Sequence, residues 1–172
     1  YIGHYGEAKA EEWLHGLKAN LARKPQGNDR AQVKAIMEGA CDIAIGNHYY
    51  MALMLQNEKQ KPWAASANLV FPTLGGQGTH MNVSGVMMTK HAPNRANALK
   101  LMEFLTSKKA QGIYANANNE YPIDPSVKAS PLLESWGGFK RDTMAFDVIA
   151  KNRSTALKIV NKVGYNEGPV TN

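Results

Sequence analysis

The chain has 172 residues, of which 44% are hydrophobic and 20% are charged, which is typical of a folded globular protein. This composition excludes disordered and collagen-like classes, and a single cysteine, Cys41, excludes an intramolecular disulfide scaffold. The net charge of +6 is spread along the sequence without a dense basic run that alternates with aromatic residues, so no nucleic-acid partner is expected.

The start of the chain predicts two helices separated by a turn. Apolar residues recur at helical spacing over residues 7–21, and acidic residues lie near the beginning of this stretch. A proline and a glycine then break the helix. Asn28 stands at the N-cap position of a second helix over residues 29–38, and Gly39 follows as a left-handed stop.

The next part of the chain predicts strands that alternate with helices. Residues 41–45 are apolar and partly β-branched, and they predict a strand that ends at a Gly-Asn turn before a helix over residues 48–59. Residues 68–71 predict another strand, and residues 80–89 predict an extended one interrupted near Gly85. This succession is typical of an α/β domain with parallel or mixed strands.

The remainder of the chain predicts mainly helices. Asn94 and Ser107 are each expected to cap a helix, the second of which runs to about Ala117. Two prolines keep residues 121–125 extended or turned. Further helices are predicted in three places: near Leu132, over residues 143–150, and between a cap at Asn152 and a stop at Gly164.

Two adjacent tyrosines, Tyr49 and Tyr50, follow the predicted strand and Gly-Asn turn. Neighbouring side chains point to opposite faces of a strand and diverge by about 100° on a helix, so their hydroxyls can converge only at an irregular junction. Phenolate oxygen is a hard anionic ligand that suits the hard cation Fe(III), although a free phenol has a pKa of about 10 and must lose its proton to bind. The alternative is a pair of amphipathic side chains with packed rings and hydrated hydroxyls.

Five stretches of the sequence carry a resemblance to a known family: residues 17–35, 41–50, 78–85, 98–104 and 120–122. Together they resemble the bacterial periplasmic ferric-iron-binding proteins, which are receptors of ABC importers. The resemblance implies an α/β type II periplasmic-binding-protein fold, related to a transferrin lobe, with iron held in a cleft between two lobes. It also implies that Tyr49 and Tyr50 are Fe(III) ligands, because they match the tandem tyrosines of that family.

The resemblance extends to an anion that accompanies the metal, such as carbonate. Asn47 lies where some members line an anion site. Asn28 and Arg30 belong to a loop and helix N-terminus that face the cleft in such folds, where free backbone amides receive anions. These three residues are therefore expected near the anion.

The resemblance also predicts how the chain is organised and where it acts. Residues 1–79 are expected to form the second lobe, residues 80–130 to return to the first lobe, and residues 131–172 to pack on the second lobe again. Most of the first lobe is missing from this scheme, and the sequence starts at Tyr1 without a leader, so we expect a fragment of an exported, periplasmic protein. The expected partners are that lobe and an inner-membrane ABC permease.

Other functions fit the same fold. One is a receptor for an organic anion or an oxyanion, in which the tyrosines would stack on the ligand or hydrogen-bond to it. Another is the effector domain of a transcription regulator. An enzyme is not expected, because no paired carboxylates, catalytic triad or nucleotide-binding loop is found. No apolar run reaches the ~18 residues that a membrane helix needs, so membrane insertion is not expected either.

Overall fold

A computed structural model describes residues 1–169, which are rich in helix and divide into two compact units. The first unit contains residues 1–45, 71–80 and the C-terminal part of the chain from Lys140, and the second contains residues 46–70 and 81–139. Nine α-helices are present in the described part: α1 Ile2–Tyr5, α2 Glu7–Ala19, α3 Asp29–Met37, α4 His48–Leu55, α5 Lys61–Ala65, α6 Arg95–Leu105, α7 Lys108–Ile113, α8 Pro131–Ser135 and α9 Phe146–Val163.

The first unit has its apolar core between α2 and α9. Ala10 and Leu14 of α2 pack with Ile159 and Val163 of α9, and all four side chains are buried. Each pair is four residues apart, so its members lie on one face of their helix. The contact joins residues that are at least 145 positions apart in sequence, from Leu14 to Ile159. Burial of a leucine, isoleucine or valine side chain stabilises a fold by about 1.5–3 kcal/mol.

Several helix boundaries confirm the predictions from sequence. The side chain of Asn28 accepts a hydrogen bond from the backbone N–H of Ala31 at 3.1 Å, and Ser107 caps α7 in the same way at 3.3 Å to Ala110. Gly39 has a left-handed φ of 72° just after α3, as expected of a helix stop. These ends are set by local hydrogen bonds and glycine geometry, which is why short sequence signals predict them.

The prediction of two C-terminal helices, over residues 143–150 and after Asn152, is wrong. One continuous helix, α9, covers both, and Asn152 lies inside it with its side-chain amide donating to the carbonyl of Val148 at 3.0 Å. An asparagine that bonds back to the preceding turn does not interrupt a helix whose apolar face is buried. The predicted stop is confirmed, since Gly164 has φ 64°.

The three predicted strands are also wrong as regular strands. Residues 41–45, 68–71 and 80–89 form no strand, and the described residues contain a single isolated bridge, between Thr79 and Arg141. The reason is visible in the exposure of their apolar side chains: Ile43 is 84% exposed and Met87 is 87% exposed. β-branched and apolar residues favour strands only when a neighbouring strand and a packed face are available.

The bridge lies in the first unit, where two loops meet. Thr79 donates its backbone N–H to the carbonyl of Lys140 at 2.8 Å, and Asp142 returns a bond to the carbonyl of Thr79 at 2.9 Å. Gly78, with φ 125°, sits against this contact, and a Cβ atom there would lie 2.7 Å from the carbonyl carbon of Arg141. Glycine is required here both for its backbone conformation and for the close approach.

The second unit is built from shorter helices around α4. Met51, Ala52 and Met54 of α4 are buried, and Leu133 of α8 is fully buried. The helical run that begins with α7 continues as a π-helix over Tyr114–Asn118, which ends at Asn119. Apolar burial on α4 leaves its N-terminal turn, with His48, Tyr49 and Tyr50, as the half-buried end.

None of the helices in residues 1–169 combines the length and the apolar character needed to cross a membrane.

Candidate metal site

The tandem tyrosines lie in the first turn of α4. Asn47 is the extended residue before the helix, with φ −85° and ψ 134°, and Tyr50 donates its backbone N–H to the carbonyl of Asn47 at 3.2 Å. The rings of Tyr49 and Tyr50 nevertheless remain close, with centroids 4.6 Å apart and planes at 45°. The two tyrosines therefore lie inside a regular helix rather than at the irregular junction expected from the sequence, and their rings contact each other there.

His48, the first residue of α4, lies in an aromatic cluster beside this pair. Its ring centroid is 5.7 Å from that of Tyr49, 5.1 Å from that of Tyr121 and 6.2 Å from that of Trp136. The ring of Tyr121 also packs edge-on against Phe139 at 5.2 Å. The tyrosine pair is therefore adjacent to this aromatic cluster, whose residues all belong to the second unit.

His48 Nε2 lies 3.0 Å from the backbone carbonyl of Asn119. A carbonyl only accepts, so Nε2 carries the proton of this bond. Burial lowers the pKa of His48 below its usual value, while the bond to Asn119 and the charge of Glu120 raise it by less. A pKa below the ordinary value of about 6.5 keeps the His48 ring mainly uncharged at pH 7.

Polar side chains form hydrogen bonds near the N-terminal end of α4. Asn82 donates its side-chain amide to Oδ1 of Asn47 at 3.3 Å, which fixes the predicted anion-site residue. Glu120 accepts from the hydroxyl of Ser84 at 3.1 Å and from the amide of Asn118 at 3.4 Å. The bonds of Asn82 to Asn47 and of Ser84 to Glu120 join residues 35 and 36 positions apart, and all three bonds lie within the second unit.

Sequence reasoning missed Glu120, Asn119 and Asn82 as functional candidates. Residues 120–122 and 78–85 are among the stretches that resemble the iron-binding family, but no spacing rule connects them to Tyr49. Only the folded chain brings them to α4. The signal available in the sequence was the Asn-Asn-Glu run at 118–120, which precedes a proline and therefore marks a turn.

Asn28 and Arg30, predicted near an anion, belong to the first unit. The side-chain oxygen of Asn28 is used to cap α3, and Gln32 donates to the carbonyls of Gln26 and Asn28 at 2.7 and 3.1 Å. Arg30 is half-buried in the first turn of α3. This loop is thus an ordered helix start, and a role of either residue in anion binding remains a prediction.

In the part of the chain that the structure describes, carboxylate, imidazole and thiol groups do not form a metal site on their own. Residues 1–169 contain no cluster of three or more His, Cys, Asp or Glu side chains that is able to hold a metal ion. Phenolate oxygen, by contrast, is a hard donor that favours a hard trivalent cation over zinc or copper.

The sequence pattern of the bacterial extracellular solute-binding proteins matches residues 4–141. The match covers most of the chain and includes the tyrosine pair and its neighbours, and the chain belongs to this family. The family is described as extracellular proteins that bind solutes.

The chain is also similar to individual relatives and solved structures. Iron uptake protein A1 of Synechocystis is 42% identical over 93% of this chain and 45% of its own length. The apo ferric ion-binding protein A of Pasteurella haemolytica superposes with a TM-score of 0.93 at 55% identity, over 96% of this chain and 52% of that one. A Trichodesmium protein solved with iron and citrate superposes with a TM-score of 0.89 at 38% identity, over 95% and 52%.

The chain thus spans about half the length of the relatives that it matches. The superpositions show that its helix-rich fold is that of the corresponding half of ferric-binding proteins. The predicted family is therefore confirmed, whereas the predicted sheet is not present in residues 1–169.

Proposed function

We propose that this chain is part of a periplasmic ferric-iron receptor of an ABC importer, and that Tyr49 and Tyr50 bind Fe(III) as tyrosinates. The observation that carries the proposal is the ring pair itself, held 4.6 Å apart at the N-terminal turn of α4. Relatives named for iron uptake and ferric ion binding support the choice of metal.

The surroundings favour phenolate over phenol once a cation is present. The positive end of the α4 dipole lies at the turn that carries both tyrosines and stabilises negative charge there. His48 stays neutral because its pKa is lowered by burial, so its ring adds no positive charge that would repel iron. Glu120, held by Ser84 and Asn118, does not favour the phenolate itself, but its negative charge attracts a cation to the same unit.

Binding through two phenols links affinity to pH. Each phenol releases a proton when it binds the metal, so acid competes with iron for the site. Affinity should fall by about tenfold per pH unit for each proton released. This dependence allows a receptor to hold iron tightly at neutral pH and to lose it in acid.

The rest of the coordination shell is proposed to come from two sources. One is an anion such as carbonate, with Asn47, Asn28 and Arg30 as the candidate contacts; the citrate in the Trichodesmium structure shows that an anion and iron occur together in that protein. The other is the first lobe, corresponding to the half of the relatives that this chain does not match. In the longer protein, residues 1–79 and 131–172 are proposed to belong to the second lobe, and residues 80–130 to the first lobe.

In the importer, the loaded receptor would deliver iron to an inner-membrane permease. The family comprises extracellular solute-binding proteins, which supports a receptor rather than an enzyme. A receptor for an organic anion is the competing function, and it would place the tyrosines against the ligand without a metal.

Ferric citrate titration tests the proposal. It should be carried out on the 172-residue chain and on a longer protein in which this chain is joined to the first lobe of the 55% identical Pasteurella protein. A phenolate-to-iron band should appear in the visible spectrum and disappear when Tyr49→Phe and Tyr50→Phe are combined. Tyr165→Phe is the matched control, because Tyr165 packs on the apolar core of the first unit.

The two-lobed protein decides the outcome. No visible band there, together with thermal stabilisation by citrate or sulfate alone, would identify an anion receptor. A band that survives in the double phenylalanine variant would show that other tyrosines bind the metal.

A further inference from the structure

Asn119 is the one non-glycine residue among those described that has a left-handed backbone, with φ 57° and ψ 39°. It ends the π-helical turn Tyr114–Asn118, and only 1% of its surface is exposed. Left-handed asparagine is a common helix stop, so the backbone alone has a local explanation. Full burial of the polar side chain needs a second explanation, because an unpaired buried amide costs about 1–3 kcal/mol.

The polar groups of Asn119 are directed at both ends of α4. Its carbonyl accepts the bond from His48, the first residue of the helix, at 3.0 Å. Its side-chain amide makes a reciprocal pair with Gln56, the residue that caps the other end: each amide nitrogen lies 3.4 Å from the partner's oxygen. One buried residue therefore bonds to the first residue and the last cap of an eight-residue helix.

Two hydrogen-bonded attachments along one helix restrict its movement more than a single attachment does. A helix held at one point is able to pivot, whereas bonds near both ends fix its tilt and its rotation about its own axis. Rotation of α4 decides where the hydroxyls of Tyr49 and Tyr50 point, because both residues lie in its first turn. A helix of this length is not stable alone and takes its orientation from such contacts.

We propose that Asn119 is a positioning residue that fixes the orientation of α4 and thereby of the tyrosine pair. This inference rests on the proposed iron-binding function, and it assigns to Asn119, with Gln56 as its partner, the orientation of the two tyrosine side chains. Asn119 does not touch the metal in this scheme. It acts through α4.

The competing role is that of a helix stop alone, and Asn119→Gly separates the two. Glycine keeps the left-handed backbone without strain and keeps the carbonyl that His48 donates to, but it removes the amide pair with Gln56. Gln56→Met removes the same pair from the exposed side of α4 and leaves the helix stop untouched. If Asn119 is only a stop, both variants should be silent.

The test uses the 172-residue chain and has two readouts. The first is the side-chain NMR signals of Tyr49 and Tyr50 without metal, assigned by comparison with Tyr49→Phe and Tyr50→Phe. The second is ferric affinity, measured from the phenolate-to-iron band. Both variants should shift the tyrosine signals and weaken ferric binding by roughly threefold to tenfold, as expected for loss of a hydrogen-bonded pair. The double variant should be no worse than either single one, because both remove one interaction.

Unchanged tyrosine signals in both single variants would overturn the inference, whatever the affinity. Additive losses in the double variant would also overturn it, because they would show that the two residues act separately. If the unsubstituted chain gives no phenolate band, the iron-binding proposal fails in this chain, and the signals of the metal-free tyrosines still decide whether Asn119 positions the pair.

Discussion

The two compact units bury different kinds of side chain. The first unit has a core cluster of purely apolar residues between two long helices, α2 and α9. The buried polar residues of the described chain, Gln111, Asn119 and Ser130, all belong to the second unit, which also carries the tyrosine pair. Apolar packing tolerates small adjustments, whereas buried hydrogen bonds specify one arrangement. The unit with the candidate site is therefore the one specified by polar contacts.

Truncation of a core leucine should have the largest effect on stability, and its effect on the tyrosine pair should differ between the two units. Leu14→Ala in the first unit and Leu133→Ala in the second should each lower the free energy of unfolding by about 2–5 kcal/mol, because each leaves a cavity. Only Leu133→Ala should also disturb the NMR signals of the tyrosine pair, since the carbonyl of Leu133 accepts from Tyr121, whose ring lies 5.1 Å from His48.

Urea denaturation measures the first effect, and tyrosine NMR of the folded variants measures the second. Equal disturbance of the tyrosine signals by both variants would contradict the division of roles between the units.

The sequence predicted the helical half of this fold better than the rest. The ends of α3 and α7 depend on Asn28, Gly39 and Ser107, whose effects are local. The predicted strands failed because residues such as Ile43 need a neighbouring strand that local pattern does not reveal. At the site, Tyr49 and Tyr50 were identified by their chemistry, whereas Asn119 and Glu120 were not, because a contact seventy residues away in sequence has no local signature.

Loss of a buried cap should have the next effect in size. The hydroxyl of Ser130 accepts from the backbone N–H of Leu133 at 3.4 Å and is buried, so Ser130→Ala leaves that N–H without its acceptor. The expected destabilisation is about 1–2 kcal/mol in urea denaturation. Ser154→Ala, on the exposed surface of α9, is the matched control and should change stability by less than about 0.5 kcal/mol. Equal effects would mean that the polar contact does not specify the second unit.

Acid should affect the first unit through Asp142. A hydrogen bond from His4 at 2.8 Å lowers the pKa of Asp142, and the backbone N–H of Met144 and the charges of His4 and His80 lower it further. A carboxyl group with a lowered pKa stabilises the fold above its ordinary pKa of about 4, and this contribution is lost as the pH falls through the lower folded value.

The urea midpoint of the unsubstituted chain should therefore decline more steeply below about pH 4 than that of Asp142→Asn. The comparison requires midpoints measured at several pH values between 5 and 2. Parallel curves would show that His4 and Met144 do not hold the carboxylate in solution.

An exposed ion pair should have the smallest effect. Lys162 of α9 lies 2.6 Å from Glu11 of α2, but its side chain is 69% exposed. Exposed pairs contribute about 0–1 kcal/mol, so Lys162→Ala should change the urea midpoint little, and the change should vanish at high salt. A loss as large as that of Leu14→Ala would mean that charge, rather than apolar burial, holds the first unit together.

The central claim is that Tyr49 and Tyr50 bind Fe(III) together, and an anomalous-diffraction map at the iron edge tests it most directly. Crystals of the two-lobed protein grown with ferric citrate should show one strong peak within bonding distance of both tyrosine hydroxyl oxygens. A peak bonded to only one of them, or a peak at surface carboxylates with the tyrosine pair unoccupied, would contradict the account.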